Sequence, residues 1–313
     1  MTFTREKEVL PALQQNTTTA LTTRSKLSES IQWIFILLTV LGLTFFLFFI
    51  TLVLNIFFKT PTLREKARYV LFVYLLLNDT MFLLLGFYLM VTSIFFFHIP
   101  LPLCYVLYML SAGAFKVTPC NLAAMALEQY VTICHPLRHV VVFSTQRAHV
   151  MFTLICTLVI IPYMVEFYFM ASSMTGLFNL YIICRQENLV FNPIQNVLRS
   201  ITLILSFSVV GIVFIFTYVN IMLVAKKVSP QSSSASKAAK TVMIHAFQLL
   251  LSTSSLLSAI TQAFLIQWPE FLPTIHFFVF TCLPRFLSPI VYGLRDELLR
   301  RYIKNSIFRF QFS

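Results

Sequence analysis

The sequence predicts an all-α membrane protein, a bundle of seven transmembrane helices followed by a short amphipathic helix. Three observations lead there: an apolar composition, apolar runs long enough to cross a bilayer, and cations gathered in alternate connections between those runs. The 313 residues are 58% hydrophobic and 11% charged, with a mean hydropathy of +0.83. A soluble domain carries about a quarter charged residues. Thirty-four phenylalanines against six glycines suit an apolar solvent better than a watery one. The net charge of +12 is not concentrated in one patch, which argues against a nucleic-acid surface. The basic residues lie between apolar runs, where they report membrane orientation.

A spanning helix needs about 20 mostly apolar residues. Seven runs meet that demand, at about 31–58, 69–92, 101–134, 148–170, 197–224, 241–265 and 271–293. They divide the chain into an extracellular N-terminal segment at 1–30, a transmembrane bundle at 31–293 and a cytoplasmic tail at 294–313. The third run is the least regular, because Lys116, Pro119 and Glu128 interrupt it. It closes at His135-Pro136, where proline bars further helix and biases the preceding residue away from helical geometry. The N-terminus shows no short apolar core with a small-residue cleavage site, so no cleaved signal peptide is expected. The first run is long enough to serve as an uncleaved anchor.

Orientation follows from the short connections. Lys59, Arg64, Lys66, Arg68, Arg138, Arg147, Lys226, Lys227, Lys237, Lys240 and five cations after 293 lie on one side, fifteen in all. The alternate connections near 93–100 and 266–270 carry no Lys or Arg, and 171–196 carries only Arg185. The cation-rich side is expected to be cytoplasmic and the N-terminus extracellular, against a weaker opposing bias from Arg5, Lys7, Arg24 and Lys26. Asn16-Thr17-Thr18 is then an outward-facing acceptor triplet for N-glycosylation. Cys104 and Cys184 face the oxidising side, where a bridge between them would pin the long outer loop over the bundle mouth. Cys120, Cys134, Cys156 and Cys282 read as small packing residues. In Arg295–Phe310, the residues Leu298, Leu299, Tyr302, Ile303 and Phe310 gather on one helical face opposite the basic ones, the pattern of a helix lying on the inner leaflet.

Each ionisable residue within a span costs about 2.5–3.5 kcal/mol on insertion scales and needs a partner, water or a task. Asp79 in the second span and Arg285 in the seventh are expected to pair across the core. Lys116 lies about 18 Å below Cys104 along the third helix, and Glu166 lies near the outer end of the fourth. Both could line an outer cavity, with Lys116 receiving an anionic or carbonyl ligand. The alternatives are a Lys116–Glu166 structural pair, or snorkelling. His276 on an apolar span reads as a core histidine. No metal-ligand spacing, phosphate-cradling loop or nucleophilic triad stands out, so neither a cofactor nor catalysis is expected.

Within this frame, Met125–His139 reads MALEQYVTICHPLRH. It resembles the third-span signature of odorant receptors, members of the rhodopsin-like G protein-coupled receptors, whose usual form is close to MAYDRYVAICHPLRY. Lys237–His245, KAAKTVMIH, is similar to the family's KAxxTxxxH. Ser288-Pro289-Ile290-Val291-Tyr292 stands where the family has NPxxY, Thr217-Tyr218 where it has SY, and Leu77-Asn78-Asp79 at its second-span acid. The resemblance covers about 31–310, and the MALE opening with PRFLSPIVYGLRDE looks closest to the fish-type branch.

The resemblance implies a plasma-membrane receptor that binds a small odorant in the outer half of the bundle and activates a stimulatory G protein inside. By family position, ligand contacts are expected from Ala112, Phe115, Lys116, Glu166, Ser206, Ser255 and Ala259. The coupling machinery is expected at Glu128, Gln129, Tyr130, Tyr218, His245, Ser288, Pro289 and Tyr292. Three positions depart from the family. Gln129 replaces the arginine that follows the acid, Ser288 replaces an asparagine, and Thr51 stands nearest the first span's Gly-Asn. Two other functions fit less well. One is a rhodopsin-like receptor for another small ligand, such as a peptide or an amine, and an amine would need an acid in the third-span pocket, where Lys116 stands. A transporter would show internal symmetry and broken helices, for which Pro119 is the single hint.

Overall fold

The computed structural model describes residues 3–136, 142–173, 177–190, 193–227, 272–287 and 300–302, with side chains from 29 onward except at some element ends. Its first helix, α1, runs Phe3–Lys59, and the part long and apolar enough to cross a membrane is Glu29–Lys59. The helix therefore begins well before the apolar run, so helicity at its start is not set by hydropathy. A short helix, α2 (Pro61–Arg64), opens on Pro61, whose fixed φ and missing N–H suit a first turn. The second, third, fourth and fifth spans are α3 (Ala67–Ile94), α4 (Leu101–Cys134), α5 (Thr145–Ser173) and α6 (Pro193–Lys227). Near the C-terminus, Leu272–His276 is α-helical and passes into π-helical turns at Phe277–Cys282. The apolar helix they build, α7, runs Thr274–Leu287 within the expected seventh span.

The sixth span at 241–265 lies outside the described residues, with Lys237, His245, Ser255 and Ala259. So do Ser288, Pro289 and Tyr292, and all of the tail helix except residues 300–302. Tyr302 packs on a cluster of Leu52, Ile56, Leu63 and Tyr69 at the inner end of α1 and α3.

The third span holds the bundle together. α4 touches α3, α5 and α6, while α7 lies against α1. α4 is continuous through Lys116, Pro119 and Glu128, all of them buried. A proline inside a membrane helix is tolerated where neighbouring groups satisfy the freed backbone. The helix stops where the sequence indicates, at His135 with φ −137° before Pro136. Side-chain amides tie it to its neighbour: Asn78 Nδ2 donates to Ala114 O at 2.9 Å, and Asn121 Nδ2 to Leu71 O at 2.9 Å. The main apolar core joins α1, α3, α4 and α7 through Phe46, Leu71, Leu75, Leu76, Leu122 and Cys282.

The end of the bundle that the cation bias marks as outer is capped separately. Strands β1 (His98–Pro100) and β2 (Tyr181–Ile183) pair antiparallel, with Ile99 opposite Ile182. Cys104 and Cys184 form a disulfide, buried beside Leu101, Tyr105, Met170 and Leu189. Arg185 Nε donates to Ser93 Oγ at 2.7 Å, and its guanidinium lies 5.6 Å from the Phe96 ring centroid. The long outer loop is thus fastened to both α3 and α4.

Candidate functional site

Beneath that cap, three elements contribute charged side chains to one buried cluster. Glu166 of α5 is 3% exposed and Arg199 of α6 is 8% exposed. Arg199 Nε donates to Glu166 Oε2 at 2.9 Å, and Tyr105 OH donates to the same oxygen at 3.4 Å. Arg199 Nη2 donates to the Leu189 carbonyl of the outer loop at 3.4 Å, and its guanidinium carbon stands 5.0 Å from the Tyr108 ring centroid. Lys116 of α4, itself buried, donates to Thr202 Oγ1 at 3.0 Å and lies 4.8 Å from the Tyr163 ring centroid. Thr202 Oγ1 in turn donates to Arg199 O at 3.0 Å.

Of the alternatives for these two residues, a direct Lys116–Glu166 pair is not the arrangement found. The direct partner of Glu166 is Arg199, and Lys116 rests instead on a hydroxyl and an aromatic ring. Arg199 is hard to see in the sequence because it stands at the third position of the apolar run 197–224, where a cation reads as a boundary residue. The helix begins earlier, at Pro193, which carries Arg199 into the bundle. Its register with Thr202, three residues on and therefore on the same face, is the signal that could have revealed the cluster.

Other expected ligand residues are dispersed. Phe115, next to Lys116 on α4, has its ring 6.0 Å from Phe82, 6.1 Å from Phe207 and 5.8 Å from the Arg285 guanidinium. Ala112 packs on the Val117, Val159 and Tyr163 cluster toward α5. Ser206 spends its hydroxyl on Thr202 O at 2.7 Å.

Deeper in the core, Asp79 and Arg285 face each other as expected, with Arg285 Nε 3.6 Å from Asp79 Oδ1. Thr118 Oγ1 donates to that oxygen at 2.7 Å, and Arg285 Nη1 donates to Thr281 O at 3.1 Å. The Phe82 ring lies 4.1 Å from the guanidinium. His276 is buried, its ring 4.7 Å from that of Phe280. Among the described residues no group of three His, Cys, Asp or Glu could hold a metal ion.

At the inner end, Glu128 and Gln129 are both 5% exposed. Thr132 Oγ1 donates to Glu128 O at 2.8 Å and reaches Glu128 Oε1 at 3.3 Å. Tyr130 stacks edge-on against Phe216 of α6, 5.3 Å between centroids, with its hydroxyl 3.3 Å from His135 Nε2. Tyr218 is 48% exposed, beside Val219, Met222 and Leu223. The neighbouring Thr217 is the buried one, at 3% exposure.

Among the described residues five helices are long and apolar enough to cross a membrane, and ionic side chains are buried between them. The chain belongs to the rhodopsin family of seven-transmembrane receptors, whose family model matches residues 50–292. The fold is accordingly a seven-transmembrane bundle, and the family is one of receptors, not enzymes. Among similar proteins, odorant receptor 131-2 of zebrafish, Danio rerio, is 28% identical over 258 residues, which is 80% of this chain and 79% of that protein. The human olfactory receptor 52A5 is 29% identical over 202 residues, 60% of this chain and 62% of its own length. The human olfactory receptor 14A16 is 26% identical over 187 residues, 57% of this chain and 59% of its own length.

Proposed function

We propose that the chain is an odorant receptor. It binds a small odorant in the outer half of the bundle and activates a stimulatory heterotrimeric G protein on the cytoplasmic side of the plasma membrane. The observation that carries this reading is the similarity, over 80% of the chain, to a zebrafish protein named as an odorant receptor. The buried ionic cluster below a fastened outer loop supports it, because such a site can hold a polar group away from water. Ligand contacts are assigned to Ala112, Phe115, Lys116, Glu166, Ser206, Ser255 and Ala259. Coupling is assigned to Glu128, Gln129, Tyr130, Tyr218, His245, Ser288, Pro289 and Tyr292. The N-terminus faces outward with a glycan at Asn16, in line with the cation bias of the connections.

Ligand binding would act by favouring one of two bundle conformations, the active one opening an inner crevice toward the G protein. Gln129 supplies a hydrogen-bonding amide where a guanidinium would supply charge, so the inner contact with a partner is weakened. A reporter-cell screen of water-soluble odorants, read as cAMP, tests the reading with Gln129→Arg run beside the natural chain. Odorant-dependent cAMP should appear, and be larger for Gln129→Arg at equal surface expression. Silence of both chains across the screen would count against odorant reception. An unchanged or smaller response of the variant would remove the role given to Gln129.

A further inference from the structure

The ionic cluster beneath the outer loop carries more positive charge than its own acid balances. Among the described residues it holds two buried cations, Lys116 and Arg199, and one buried carboxylate, Glu166. Glu166 and the Leu189 carbonyl occupy Arg199 Nε and Nη2. The third nitrogen, Nη1, is buried and has no hydrogen-bond partner among the described residues. A buried, unsatisfied donor on a charged group costs about 1–3 kcal/mol or more, and native structures rarely leave one without a purpose. Lys116 meets only neutral groups in its described contacts, the Thr202 hydroxyl and the Tyr163 ring. The Thr202 hydroxyl accepts from Lys116 and donates to the main-chain carbonyl of Arg199, so Lys116 of α4 is held against the turn of α6 that carries Arg199.

We propose that this cluster binds the carboxylate of a small organic acid, with Arg199 Nη1 and Lys116 Nζ as its cationic contacts and Thr202 as the group that registers them. The surplus is a single positive charge, which a monoanion neutralises and a doubly charged phosphate oversteps. A guanidinium presents its N–H groups in a planar fork that suits a carboxylate. The surroundings favour an organic acid over an inorganic ion: the Tyr108 and Tyr163 rings flank the cations, and Phe115, next to Lys116 in the chain, meets Phe207 of α6. The carboxylate is held at the cations and the carbon skeleton lies against the rings. The inference rests on the odorant-receptor reading for its biological meaning, but the binding chemistry stands on the cluster itself.

The test uses the full-length receptor, purified into lipid nanodiscs, and measures thermal stabilisation by straight-chain and aryl monocarboxylates. Alcohols of the same carbon skeletons serve as uncharged counterparts. The acids should stabilise the natural chain, and their half-saturating concentration should rise about tenfold or more in Lys116→Met. Arg199→Gln leaves Glu166 buried alone and endangers folding, so the second variant is Arg199→Gln combined with Glu166→Gln, with the same expected loss. Lys116→Arg should retain acid binding, and alcohol responses should move little in any variant. Absence of acid stabilisation, or equal losses for acids and alcohols, overturns the proposal. The same panel read as cAMP separates the two readings. Acid binding without any signal counts against odorant reception alone, whereas signalling to alcohols but not acids counts against the carboxylate site alone.

Discussion

Asp79 illustrates how a single residue constrains the bundle. The residue is 1% exposed, and an unpaired carboxylate there would be prohibitively costly in a low dielectric. Thr118 supplies a direct hydrogen bond at 2.7 Å and Arg285 an opposite charge at 3.6 Å, too long for a hydrogen bond but close enough for an ion pair. Arg285 has its own supports in Thr281 O and the Phe82 ring. Removing one partner of a buried pair costs about 3–5 kcal/mol, because the other is left uncompensated, whereas replacing both by neutral groups costs far less. Asp79→Asn and Arg285→Met should therefore each lower the thermal stability of the purified receptor sharply, and the double variant should lose clearly less than their sum. Additive losses would show that the two charges do not act on each other. The expectation of this pair came from the sequence because a lone acid and a lone arginine in apolar spans have few other partners. The Glu166–Arg199 pair was not legible in the same way. Three charges compete there, and only the start of α6 at Pro193 decides which of them meet.

At the scale of elements, hydropathy gives the spans but not how they fit. The third apolar run was read as 101–134 and the helix is Leu101–Cys134. Bilayer thickness sets a minimum length, and Pro136 sets the end. What hydropathy does not show is how α7 is seated. A Cβ on Gly42 of α1 would collide with the Phe286 ring, and one on Gly86 of α3 would stand 3.0 Å from the Phe277 ring. Two of the few glycines thus admit two phenylalanines of the same helix, keying α7 to α1 and α3. Phe286 also lies 5.9 Å from Phe46, so its ring has little room to retreat. Gly42→Ala should destabilise the receptor by about 1–3 kcal/mol, the usual cost of overpacking. Gly211 of α6 has nothing among the described residues within 4 Å of its added Cβ, and Gly211→Ala should be neutral or slightly stabilising, since alanine is the better helix former. Equal melting temperatures for the two variants would remove the keying role from Gly42.

For the molecule as a whole, the question is what fastens the outer loop and whether that fastening reaches the ionic cluster. The Cys104–Cys184 disulfide closes a stretch of 80 residues, which a chain-entropy estimate converts to about 4–5 kcal/mol. That estimate assumes a free unfolded coil. Here the enclosed α4 and α5 read as spans held in the bilayer, so much of the loop-closure entropy is already lost and the bridge acts mostly locally. Locally it is buried with Leu189, and the Leu189 carbonyl accepts from Arg199 Nη2. The bridge, the loop and the Arg199–Glu166 pair therefore form one connected unit rather than a lid placed over a separate site. Loss of the bridge should free Leu189, weaken the support of Arg199, and leave less for a second lesion at Arg199 to remove. The expected outcome in the unliganded purified receptor is sub-additive loss of melting temperature when Cys104→Ala with Cys184→Ala is combined with Arg199→Gln and Glu166→Gln. Sums that agree within about 0.3–0.5 kcal/mol, the usual spread for independent sites, would show that cap and cluster are stabilised separately.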